Sequence, residues 1–299
     1  MSTEKFSAYD KPLDISDRRG RMLVARRPPS SIQLIAILIV TGVSLPLGYL
    51  IFRALGVGSD FADLLLNSRT LGIVFRSAAL VIAVTLASVS IALPIAWLTV
   101  RTDLPFRGVW TIITVLPLVI PSYVAGFVMV VALGPKGVLQ GWLSSFGVER
   151  LPEIYGFPGA MLTLTLLSYP YVLLPIRAAL GRMDPALEET SYSLGKSSRH
   201  TFSHITLPLL RPSIAAGALL VALYTLSDFG AVSLLHYETF TWAIYVRYGY
   251  FARELAAVLS LVLVVFALGI LVMEARTRGR ALYYRSTTGS VRPQKVVRL

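Results

Sequence analysis

SAALVIAVTLASVSIALPIAWLTV, Ser77 to Val100, runs for 24 residues without a single Asp, Glu, Lys or Arg. An α-helix needs about 20 apolar residues to cross roughly 30 Å of hydrocarbon. A backbone in that medium must satisfy its own hydrogen bonds, and a run this long without strand-like alternation can do so only as a helix. Four more stretches are equally free of charge: Ile32 to Phe52, Gly108 to Pro135, Ile154 to Ile176 and Leu255 to Met273. A sixth, Pro212 to Leu235, contains one charged residue, Asp228. The expected fold is therefore all-α and polytopic, with six transmembrane helices in residues 32–273 between basic tails at 1–31 and 274–299.

Composition agrees. The 299 residues are 55% hydrophobic and 15% charged, where a soluble domain carries about 25% charged residues. A soluble enzyme is nearly excluded, and the absence of cysteine removes disulfides, thiolate metal sites and thiol nucleophiles. The first apolar run begins only after 31 residues and lacks a small-residue cleavage pattern, so it is expected to be retained as the first span.

The net charge of +12 reads mainly as a topology signal. With the N-terminus inside, the cytoplasmic segments hold 21 Lys and Arg and the outer loops hold 7. Both termini are expected in the cytoplasm of a multi-pass inner-membrane protein. The basic tail is expected to touch anionic lipid, and nucleic acid is not expected as a partner. Pro46, Pro94, Pro117, Pro121, Pro170, Pro175, Gly217 and Gly230 interrupt the spans. Such breaks suit either ordinary kinks or a water-lined path.

The longest cytoplasmic loop, Arg177 to Arg211, is organised. Asp184-Pro185 supplies a cap and a first-turn proline, with Glu188 and Glu189 near the positive end of the helix dipole. The spacing predicts a helix from Pro185 to Leu194 that stops at Gly195. Phe202, Ile205 and Leu209 then form a second amphipathic stretch, interrupted by Pro208. Within this loop, Glu189-Thr190-Ser191, three residues, Gly195, nine residues, Ile205, one residue, Leu207-Pro208 resembles the EAA loop of permease subunits of ATP-binding-cassette importers. The family pattern is Glu-Ala-Ala, three residues, Gly, nine, Ile, one, Leu-Pro, between the fourth and fifth of six helices. Thr190-Ser191 departs from its alanines but stays small.

The resemblance covers nearly the whole chain and implies the fold of the type I importer permeases. It implies that Glu189, Thr190, Ser191, Gly195, Ile205, Leu207 and Pro208 belong to a coupling helix seated in a groove of a cytoplasmic ATPase. The implied partners are an ATPase dimer that binds the ATP, a second permease half, and an extracytoplasmic binding protein. No catalytic site and no cofactor are expected in this chain. Tyr224 to Leu235, Tyr237 to Thr241 and Ala243 to Tyr245 look most like ferric-iron permeases, and the tail from Tyr283 is similar to the basic linker between their two halves. Thiamine, polyamine, sulfate and molybdate permeases share the same loop. An ATP-independent secondary transporter would leave the Glu189 to Pro208 spacing unexplained.

Asp228 lies about 24 Å from Pro212 by helical rise, toward the outer end of its span. Two readings stand: with Tyr224 it lines the translocation path, or it makes a structural hydrogen bond. The outer loop from His236 through Tyr237, Glu238, Tyr245, Tyr248 and Tyr250 to Glu254 offers hard oxygen donors. With Trp242 it reads better as an interfacial belt or a contact for the binding protein than as a metal site. Gly195-Lys196-Ser197 lacks the glycine five residues earlier and the preceding strand of a phosphate loop. His200 and His204 lack both the adjacent glutamate and the third ligand of a zinc site.

Overall fold

The computed structural model describes residues 30–56, 61–135, 137–147, 152–249 and 253–278. In chain order its helices are α1 (Ser30–Leu55), α2 (Phe61–Leu66), α3 (Ser68–Arg101), α4 (Arg107–Ile113), α5 (Ser122–Leu133), α6 (Val138–Ser144), α7 (Phe157–Arg182), α8 (Pro185–Ser193), α9 (Ser198–Thr201), α10 (Leu207–Ser227), α11 (Gly230–Leu234), α12 (Phe240–Gly249) and α13 (Arg253–Arg278). A short 3-10 turn, Leu116–Val119, precedes α5, and a π turn, Phe202–Thr206, joins α9 to α10. Six stretches are long and apolar enough to cross a membrane: Ser30–Leu55, Ser68–Arg101, Ser122–Ser144, Phe157–Arg182, Ser198–Ser227 and Glu254–Arg276. The basic tails, apart from residues 30–31 and 274–278, and Lys136, Arg150 and Tyr250 lie outside the described residues.

The helix α1 runs without interruption through Pro46 and is apolar on every side. In the compact unit from Leu50 onward, α3, α7 and α10 make the packed centre. Lipid tails are as apolar as leucine, so helices in a membrane associate mainly through close packing and interhelical hydrogen bonds. The sequence supplies small residues for this. Ser88, Ala92 and Ala96 of α3 recur every fourth residue, and none is exposed. Ser88 and Ser168 of α7 share a buried hydroxyl–hydroxyl bond of 3.2 Å. Gly217 of α10 sits so close to α7 that a Cβ there would lie 2.6 Å from Val172 Cα and 2.9 Å from the Tyr171 carbonyl oxygen. Pro175 has no N–H to bond that same carbonyl, so the carbonyl freed by the proline and the close approach of α10 coincide.

Two spans differ from their sequence-based bounds. Gly108 to Pro135 is not one helix: α4 ends at Ile113, the 3-10 turn follows, and α5 restarts after Pro121. Pro117 and Pro121 remove two N–H donors, and side chains of α7 take up carbonyls freed at the break. Tyr169 Oη donates to the Thr114 carbonyl at 2.8 Å, and Arg177 Nη1 donates to the Thr111 carbonyl at 3.3 Å. This is how irregular backbone persists at membrane depth. The fifth span starts well before Pro212 and ends before Leu235. It runs from Ser198 to Ser227, Pro208 does not interrupt it, and Asp228 breaks it. A π turn carries the chain past the proline, with Leu207 N bonding the Phe202 carbonyl five residues back. Widening the turn accommodates a ring that would clash with the preceding carbonyl in a regular α-helix.

Candidate functional site

The helix α8 is defined at both ends by its own sequence. Asp184 Oδ1 accepts from Ala186 N at 3.0 Å, and Pro185 occupies the first turn. At the other end Gly195 adopts φ +76°, Lys196 N bonds the Ser191 carbonyl at 3.1 Å, and Gly195 N bonds the Tyr192 carbonyl at 2.9 Å. That pair of bonds is a Schellman cap, whose left-handed residue glycine adopts without a Cβ penalty. Ser197 then caps α9 by accepting from His200 N at 3.4 Å.

Three contacts tie this short helix to the bundle. The 34 residues of α3 outrun the hydrocarbon thickness, so its Arg101 end projects to the level of α8. Arg101 Nη2 reaches Glu188 Oε1 at 3.3 Å, with side-chain exposures of 4% and 12%. The same carboxylate oxygen accepts from Thr206 Oγ1 at 2.9 Å. Ser191 and Thr201 share a buried hydroxyl–hydroxyl bond of 2.8 Å. Apart from these three, Trp97 of α3 meets Phe202 of the π turn edge-on at 5.2 Å between ring centres. Glu188 therefore connects the end of α3, the middle of α8 and the π turn that feeds α10.

The residues singled out from the sequence divide between two faces. Glu189 and Thr190 are exposed, and Thr190 Oγ1 donates back to the Ala186 carbonyl at 2.7 Å. Ser191 is buried against Thr201, so its hydroxyl has a use that an alanine could not serve. Ile205 lies half-buried in the π turn, and Leu207 and Pro208 lie half-buried in the first turn of α10. The sequence reading names Glu188 only as a charge near the helix dipole, and it does not single out Arg101, Thr201 or Thr206. Adjacent glutamates do not reveal which one turns inward, and Arg101 looked like a topology marker. On the outer face Leu187, Tyr192 and Leu194 are exposed, Leu194 by 72%.

Asp228 is buried, 7% exposed, at the junction of α10 and α11. Its Oδ1 accepts from Ala231 N at 3.0 Å and Val232 N at 3.4 Å, and its carbonyl accepts from Thr241 Oγ1 at 2.6 Å. The carboxylate is thus a helix cap. Gly230 and Ala231 press against α5: a Cβ on Gly230 would lie 2.6 Å from Ser122 Oγ, and one on Gly126 would lie 3.2 Å from Ala231 Cα. Tyr224 is half-buried and tilts against Tyr171 at 5.5 Å.

The outer tyrosine-rich stretch, expected as a loop, contains the helix α12. Phe229, Trp242 and Tyr245 cluster there with ring centres 4.9 to 6.2 Å apart. Tyr245 and Tyr248 are 62% and 63% exposed. No group of three His, Asp or Glu side chains close enough to hold a metal occurs among the described residues. His200 and His204 stack on each other at 4.1 Å, and His204 Nδ1 pairs with Ser203 Oγ at 2.8 Å.

Six helices long and apolar enough to span a membrane, with a capped helix just before the fifth, are what the resemblance to importer permeases implies. The chain belongs to the family of binding-protein-dependent transport system inner membrane components, whose model matches residues 92–276. It is 37% identical over 274 residues to the Fe(3+)-transport system permease protein FbpB 2 of Haemophilus influenzae, covering 91% of this chain and 50% of that one. It is 32% identical over 179 residues to the inner membrane ABC transporter permease protein YdcU of Escherichia coli, covering 55% of this chain and 57% of that one. It is 35% identical over 147 residues to the molybdenum transport system permease protein ModB of H. influenzae, covering 48% of this chain and 62% of that one. The matched part thus spans between half and two thirds of these relatives.

Among solved structures, a chain of a bacterial alginate ABC transporter, in complex with an alginate pentasaccharide-bound periplasmic protein, superposes with TM-score 0.65 at 18% identity, covering 84% of this chain and 95% of that one. A chain of the MetNI methionine ABC transporter in an inward-facing form gives TM-score 0.54 at 17% identity, covering 73% and 100%. These two show the shared all-α permease fold.

Proposed function

We infer that this chain is a permease half that imports ferric iron delivered by an extracytoplasmic binding protein. It is driven by a cytoplasmic ATPase dimer that docks on α8, and both of its termini face the cytoplasm. The observation that carries the coupling role is the Glu188 junction. A rigid helix, capped at both ends and bonded to α3 and to the turn feeding α10, passes a displacement on to two spans, where a free loop would absorb it. Glu189, Thr190, Tyr192 and Leu194 face the ATPase, while Ser191, Gly195, Ile205, Leu207 and Pro208 hold the helix and its exit in shape. A second permease half, identical or similar, completes the path. Tyr224 belongs to the path-facing part of α10, and Asp228 holds the break above it. ATP is bound by the partner, and the chain performs no covalent chemistry of its own.

Ferric iron as substrate rests on the similarity to FbpB 2, which extends over most of this chain. The similarity to ModB supports an oxyanion as the competing substrate. Proteoliposomes carrying the permease with its ATPase and binding protein test both. ATP-dependent uptake of ferric iron, with none of molybdate or sulfate, is the expected result. Molybdate uptake without iron uptake would replace the substrate, and uptake of either without ATP would overturn the importer reading.

A further inference from the structure

At the end of the bundle where α3 and α13 begin, a cavity of about 490 Å³ opens between the start of α3, α12 and α13. Its charged lining is Arg69, Arg247 and Glu238, and its remaining walls include Asn67, Trp242 and Leu255. Glu238 is already engaged. Its Oε2 takes Arg76 Nη1 at 2.8 Å, and its Oε1 lies 3.7 Å from Arg69 Nη2. Arg247 turns one nitrogen onto the Ala243 carbonyl at 3.1 Å. Burial, with the Arg69 charge second, lowers the Arg247 guanidinium from its ordinary value. Two guanidiniums, Arg69 and Arg76, therefore share the one carboxylate, and Arg247 adds a further positive charge to the cavity lining. Asn67 adds little, because its Oδ1 is spent capping α3 on Arg69 N at 3.0 Å.

The cavity also sits at a defined depth. The spans Ser68–Arg101 and Glu254–Arg276 both begin beside it, which places it at a membrane boundary, with Trp242 in the position of an interfacial aromatic. Paired guanidiniums match the geometry of phosphate oxygens, and the apolar walls suit the part of a ligand that enters hydrocarbon.

We propose that this cavity is a phosphate site, in which Arg69 and Arg247 hold the phosphodiester of an anionic phospholipid headgroup while Trp242 and Leu255 line the way to its acyl chains. Inorganic phosphate offers the same oxygens without the chains, so the two sources separate by experiment. The full chain, purified in neutral detergent, is exchanged into mixed micelles of phosphatidylglycerol and phosphatidylcholine, and retained lipid is counted by native mass spectrometry. Wild-type protein should retain phosphatidylglycerol preferentially, and Arg247→Gln should lower that retention about fivefold while leaving phosphatidylcholine unchanged. Glu238→Gln removes the competing carboxylate and should raise retention, a change that misfolding would not produce. If instead inorganic phosphate alone raises the melting temperature of wild type but not of Arg247→Gln, the phosphate site stands and the lipid source is replaced by a free anion. Equal phosphatidylglycerol retention by wild type and both variants, with no Arg247-dependent effect of phosphate, would overturn the proposal.

Discussion

The two ends of α10 meet the same problem, a backbone that has lost regular hydrogen bonds, and solve it in opposite ways. At the α8 end, Pro208 and Pro212 remove two donors, yet the helix runs on: a π turn leads into Pro208, and α10 continues through Pro212. A charge-paired glutamate, Glu188, then anchors that turn through Thr206. At the other end there is no proline, and the helix stops at Ser227 because Asp228 offers its carboxylate to the amides of the next helix. One end is continuous and cross-linked to α3 and α8, the arrangement that the proposed coupling role needs. The other is a capped break, held to α5 by the close approach of Gly230.

The largest effect is expected at the continuous end. Glu188→Ala leaves Arg101 buried without its partner, and loss of one member of a buried pair costs about 3–5 kcal/mol. ATP-dependent uptake should fall to background, and thermal unfolding of the purified chain should shift downward. Retention of both wild-type stability and uptake would show that Arg101 does not depend on Glu188. Next comes Gly195→Pro. Proline fixes φ near −65° and has no N–H, whereas Gly195 sits at +76° and donates to Tyr192. Membrane insertion should persist and transport should be lost; wild-type uptake would remove α8 from the coupling path.

At the broken end the expected changes are smaller and sharpen the contrast. Asp228→Ala removes a helix cap, a loss of about 1–2 kcal/mol, while Asp228→Asn keeps an acceptor oxygen and should stay near wild type. Equal loss of uptake in both variants, with stability unchanged, would instead assign the negative charge to the path. The smallest effect is expected for Ser191→Ala, which leaves the Thr201 hydroxyl unpaired at a cost of about 1 kcal/mol. A denaturation midpoint identical to wild type would show that this bond does not stabilise α8.

The six spans were legible because a membrane demands long uncharged runs, and residues such as those from Ser77 to Val100 satisfy that without knowledge of any neighbour. The limits of α8 were legible too, since Asp184-Pro185 and Gly195 act through local backbone chemistry. The break between Thr114 and Pro121 was not, because hydropathy is blind to which carbonyls Tyr169 and Arg177 will satisfy. Pro208 was read as an interruption because the π turn that absorbs it depends on packing around Phe202 and Thr206. The inward turn of Glu188, rather than Glu189, depends on Arg101, 87 residues away. The helix α12 was read as a loop because its anchor, the bond from Phe240 N to Ser77 Oγ at 3.1 Å, is likewise long-range.

The central claim is that α8 is the surface on which the ATPase docks, and the chain's lack of cysteine makes it directly testable. Single cysteines introduced by Leu194→Cys on α8 and by Phe75→Cys at the far end of α3, both at strongly exposed positions, can be cross-linked in membranes that contain the partner ATPase. Cross-linking to the ATPase is expected from position 194 and not from position 75. Cross-linking from position 75, or none from position 194 while the complex still transports, would contradict the assignment.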